Sequence, residues 1–124
     1  KAVTLTGRIQ GNCPIARGRI TRGIFHIGST GPLELVIDTG FSGAIALPHP
    51  LLKRLTLQFI ATDSFTLATG EMIDLPAYAG MVQIGPRRIR TWFIPGDHLI
   101  GIDFLRSAFS RMTLDFDRDL VTAM

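Results

Sequence analysis

The chain has 124 residues, 46% of them hydrophobic and 19% charged, with glycines and prolines dispersed along it. That balance fits one folded domain with its own core, and excludes a disordered tail and a two-domain chain. A net charge of +3 and a single cysteine, Cys13, exclude a disulfide scaffold and leave a basic protein.

The hydrophobic period is mostly two, which predicts strands. Val3 to Ile9 alternates Val3 and Leu5 with Thr4 and Thr6 and reads as a first strand, followed by a loop over Gln10 to Pro14. Gly23 to Gly28 and Leu33 to Ile37 read as paired strands around the turn residues Ser29-Thr30-Gly31-Pro32. Ala44 to Leu47 is strand-like, and Pro48-His49-Pro50 breaks it. Leu51 to Leu55 then suits one or two helical turns, with Pro50 near the start. Further strands are predicted at Phe59–Ala61, Phe65–Ala68, Ile73–Leu75, Tyr78–Ile84 and Ile89–Ile94, the last two flanking a Gly85-Pro86 turn. A short helix over Ile102–Ser107 precedes Met112–Phe116, an Asp117-Arg118-Asp119 turn and Leu120–Ala123. Many short strands with frequent turns predict an all-β barrel or sandwich in one domain, residues 1–124.

The longest apolar runs, such as Leu35-Val36-Ile37, are far short of the roughly 20 residues that cross a bilayer. No basic-then-apolar leader opens the chain, and a lone thiol fits a reducing compartment, so the expectation is a cytoplasmic protein without a membrane segment. His26, His49 and His98 share no short spacing, so no metal and no other cofactor is expected. Arginines group as Arg17, Arg19, Arg22 and as Arg87, Arg88, Arg90. Neither group reads as interleaved with stacking aromatics, which favours a solvated surface over a nucleic-acid site. Trp92 reads as a strand residue packed in the core or at a sheet edge.

One segment carries chemistry. Asp38-Thr39-Gly40-Phe41-Ser42-Gly43 follows directly on Leu35-Val36-Ile37. A carboxylate at the end of a buried strand must be hydrogen-bonded or paired. Gly40 and Gly43 permit a tight turn that brings amides close to it, and Thr39 and Ser42 offer hydroxyls. Alone, Asp-Thr-Gly could be an ordinary turn after a strand.

The wider string, with Ala46-Leu47-Pro48, resembles the active-site segment of retropepsin-like aspartic proteases, above all their small bacterial and archaeal members. Leu99-Ile100-Gly101, followed by Ile102-Asp103-Phe104-Leu105, resembles the apolar-apolar-Gly segment that crosses the active-site loop in that family. Ala68-Thr69-Gly70-Glu71-Met72 falls where the family has the tip of its flap, and Leu114 to Val121 resembles its C-terminal strands. The resemblance spans about Gly23 to Val121, and the N-terminal strand and loop, residues 1–22, carry no matching motif. It implies a closed β-barrel-like fold with one or two short helices. It also implies Asp38 as the catalytic group and Thr39, Gly40 and Ser42 as its support.

Aspartic protease chemistry needs two carboxylates sharing one proton, because like charges held close cannot both ionise easily. Asp103 is followed by Phe104, and Asp63 by Ser64-Phe65, so neither repeats the motif. The resemblance therefore implies a homodimer with one Asp38 from each chain, a two-fold axis through the site, and a peptide or protein substrate. A second reading keeps the cleft as a non-catalytic peptide-binding or dimerisation module. A third, a basic nucleic-acid-binding barrel, ranks last.

Overall fold

The computed structural model describes residues 3–124, which form an 11-stranded sheet and two short helices, an all-β architecture. In chain order these are β1 (Leu5–Gln10), β2 (Cys13–Thr21), β3 (Ile24–Ile27), β4 (Leu33–Asp38), β5 (Ile45–Leu47) and α1 (His49–Leu52). Then come β6 (Gln58–Thr66), β7 (Met72–Ile84), β8 (Arg87–Pro95), β9 (Leu99–Gly101), α2 (Ile102–Ala108), β10 (Met112–Asp115) and β11 (Leu120–Ala123).

The strand order is β10-β11-β1-β2-β3-β7-β8-β5-β9-β4, with β6 added to β7. β4 also pairs with β2, so the pairings that leave β2 through β3 return to it through β4. Most core side chains come from this ring of strands and from α2. Phe25, Phe93, Phe104, Leu35, Ile45 and Ile100 are fully buried, and Phe25 meets Phe93 edge-on with ring centroids 6.4 Å apart. At one end β1 pairs with β11, bringing Leu5 opposite Ala123.

Three local expectations are corrected. The loop expected over Gln10–Pro14 is only a two-residue turn: Gly11 and Asn12 both have positive φ (56° and 63°), and Gln10 pairs with Cys13. Positive φ at both central residues matches the right-handed twist of the flanking strands. β2 then runs nine residues where no strand was read. Its buried positions are Ala16 and Gly18, too small to register as an apolar alternation, and Phe25 fills the space in front of Gly18. Third, Trp92 lies neither in the core nor on an edge. It is 42% exposed on β8, between β7 and β5.

The separate pieces expected at 59–61, 65–68, 73–75 and 78–84 merge into one long hairpin, β6–β7. Pro76 lies opposite Thr62 in the β6–β7 ladder, outside the Tyr78–Ile84 stretch that β8 pairs. α1 begins at His49 rather than at Leu51, with Pro50 in its first turn, where the absent N–H costs nothing.

Candidate active site

Asp38 is the last residue of β4 and is half-buried. Its carboxylate oxygen Oδ1 accepts the Gly40 amide at 2.9 Å, and its carbonyl accepts the Phe41 amide at 3.1 Å. The turn is thus closed twice by Asp38 itself, through side chain and backbone. Among the described residues the Gly40 amide is the only hydrogen-bond donor to this carboxylate. The sequence reading expected amides and hydroxyls around it. The amide is there, but neither the Thr39 nor the Ser42 hydroxyl makes a hydrogen bond among the described residues, and both side chains are exposed.

The segment singled out downstream holds this turn in place. β9 pairs in parallel with β4, setting Val36 opposite Leu99, Ile37 opposite Ile100, and Asp38 opposite Gly101. The Gly101 amide donates to the Ala44 carbonyl (2.7 Å), that of Ile102 to Phe41 (2.9 Å) and that of Asp103 to Gly43 (3.2 Å). Three successive amides thus saturate carbonyls of the Asp38 loop that would otherwise be orphaned. Only glycine fits at 101, because a Cβ there would collide with the Gly43 carbonyl oxygen.

The third expected element also reaches the site. The β6–β7 hairpin turns through 67–71, where Leu67 donates its amide to the Glu71 carbonyl (2.8 Å) and Gly70 donates its own to Leu67 (2.9 Å). Ala68, Thr69, Gly70 and Glu71 lie in the turn, whereas Met72 opens β7 opposite Thr66 and is 65% exposed. Phe65, near the end of β6, packs against Phe41 of the Asp38 loop at a centroid distance of 6.3 Å. These two rings belong to a small apolar cluster with Ala46, Ala77, Ile94, Leu75 and Leu99. The sequence reading quoted Phe41 within the motif but gave it no role, and its contact with the hairpin appears only in the fold.

Thr39 also lines an open, mostly apolar recess of about 150 Å³ with Ile102, Leu105, Phe109, Met112 and Ala123, rimmed by Arg106, Ser110 and Arg111. Nearby in the chain, Leu114, Phe116 and Met124 are exposed (39%, 74% and 45%). Among the described residues, no three His, Cys, Asp or Glu side chains converge as metal ligands, and no helix is long and apolar enough to cross a membrane. No family model, no curated protein and no solved structure matches the chain.

Proposed function

We propose that this chain is an aspartic endopeptidase with a retropepsin-like, closed-barrel fold that works as a symmetric homodimer. The observation that carries this reading is the construction around Asp38. A half-buried carboxylate ends a core strand, is oriented by a backbone amide, and sits in a loop braced by Leu99-Ile100-Gly101. An ordinary surface turn needs no such second strand. The return of the strand pairings to β2 supports the barrel, and the β6–β7 hairpin contacting Phe41 supports a flap.

One chain brings one such carboxylate. The free Thr39 hydroxyl and the mostly apolar recess beside it, which also carries Arg106, Ser110 and Arg111, suit a second copy, whose Asp38 would complete the pair. One carboxylate of the pair then takes a proton from water as the water attacks the scissile carbonyl. The other, protonated, donates to the carbonyl oxygen and afterwards a proton passes to the leaving amine. The substrate lies extended between the pair and the flap, where strand edges can hydrogen-bond its backbone.

The test is Asp38→Asn, compared with the parent on a mixed peptide pool at acidic pH. The substitution keeps the size and the acceptor oxygen for Gly40, so the fold is retained while hydrolysis falls by at least roughly 10³-fold. Equal turnover by both proteins would remove Asp38 from catalysis.

A further inference from the structure

The outer face of β2, β3, β7 and β8 collects arginines that the catalytic reading does not use. Cross-strand register puts Arg19, His26, Gln83 and Arg88 in one row. Two residues along each strand, Met81 and Arg90 share the same face, and Trp92 follows two residues further on β8. From Arg88 to Phe93 exposure alternates: Arg88, Arg90 and Trp92 are exposed, while Ile89, Thr91 and Phe93 are buried. Arg22, at the β2–β3 turn, joins Arg88 and Arg90 in lining a groove of about 440 Å³ with Ile24, Gln58 and Met81.

The two arginine groups are also sorted. Arg17 is neutralised by Glu34 at 2.9 Å, and Arg87 is half-buried and donates to the Ala108 carbonyl at 3.2 Å. Arg19, Arg22, Arg88 and Arg90 form no ion pair among the described residues. Arg88 is held rather than free. Its Nε donates to Gln83 Oε1 (3.2 Å), and Gln83 in turn donates to the Gly85 carbonyl (3.0 Å). That arrangement fixes the guanidinium plane and leaves its outer nitrogens for a ligand.

We propose that this face binds single-stranded nucleic acid, with Arg19, Arg22, Arg88 and Arg90 on phosphates and Trp92 as a stacking platform for a base. Four unpaired, solvent-exposed cations on one face suit a polyanion. Lys1 and Lys53 are the only lysines, so the cationic groups here are planar guanidiniums that match phosphate bidentately. An acidic peptide finds no backbone to pair with, since β2, β3, β7 and β8 each have strand neighbours on both sides. The exposed tryptophan favours a single strand over a duplex, whose bases are already stacked.

Trp92 is the sole tryptophan and serves as the reporter. Labelled oligothymidylate is titrated at low salt, following Trp92 fluorescence and the anisotropy of the label. Binding quenches Trp92, and log affinity falls against log salt with a slope of about −2 to −3, as three or four phosphate contacts require. Arg88→Glu/Arg90→Glu weakens binding by at least roughly tenfold and flattens that slope. Trp92→Ala weakens it by about fivefold or more. Arg118→Glu, at the exposed β10–β11 turn, changes it by no more than about twofold, although net charge shifts in the same direction. No binding at low salt would overturn the proposal, as would an equal loss with Arg118→Glu. So would polyglutamate binding as tightly with the same variant dependence, which would assign the face to an acidic polypeptide. The measurement is indifferent to Asp38→Asn, so it stands or falls separately from the protease reading.

Discussion

At Gly101 the missing side chain keeps β9 against the Asp38 loop. A methyl group there would run into the Gly43 carbonyl, held by the Asp103 amide, and the Phe41 ring, packed against Phe65. Gly101→Ala is expected to cost about 1–3 kcal/mol in urea unfolding, the usual range for forcing a methyl into a filled site, and to lower hydrolysis as well. Unchanged stability would show that the loop is free to shift. The link between Asp38 and Gly101 was expected from the family resemblance of the two segments, and nothing in their spacing or periodicity alone shows it. The placement of the Thr39 and Ser42 hydroxyls was not legible. Residue type shows that a hydroxyl exists, but its direction depends on the turn, and this turn leaves both facing solvent. Trp92 was misplaced although Arg88-Ile89-Arg90-Thr91-Trp92-Phe93 alternates openly, since its burial was judged from its size rather than from its place in that alternation.

Among the elements, the distal half of the β6–β7 hairpin is the most exposed: β6 pairs only with β7, and β8 joins β7 only from Tyr78 onward. Nearly every residue of β6 is open to solvent, and Phe59 is 58% exposed. Across the hairpin, Ser64 donates to Asp74 Oδ1 at 2.6 Å. The Phe41–Phe65 contact ties its distal half to the Asp38 loop, and such aromatic pairs contribute about 0.5–1.5 kcal/mol beyond area burial. Phe65→Ala should therefore raise hydrogen exchange of the amides between about Asp63 and Leu75 while leaving β4 and β9 protected. Equal exchange in parent and variant would mean that the aromatic contact does not hold the hairpin down. The hairpin was predicted in fragments because Thr62, Asp63, Asp74 and Pro76 interrupt its apolar pattern. A strand solvated on both faces gives no periodic signal to follow. β2 escaped for the opposite reason: its inward residues are Ala16 and Gly18, so the apolar bulk at that place comes from Phe25 on the neighbouring strand.

For the whole molecule, the all-β character followed from strand spacing, whereas the order of the strands did not. Nothing local in Ile15–Gly18 shows that it lies beside Leu33–Val36, yet that pairing returns the sheet to β2. The proposed homodimer likewise depends on surfaces that only the folded chain displays. The recess beside Thr39 and the exposed Leu114, Phe116 and Met124 are open, mostly apolar area that a second copy could cover. Sedimentation should then show dimers that dissociate on dilution, with specific activity falling alongside them. A strict monomer of full activity would contradict that assembly. The most direct measurement mixes a fixed amount of parent protein with increasing Asp38→Asn chain, allows exchange, and follows peptide hydrolysis. If each site needs an Asp38 from both chains, mixed dimers are inactive, and activity should fall toward zero as the variant comes into excess. Activity that stays constant as Asp38→Asn is added would show that each chain works alone, and would contradict the shared site.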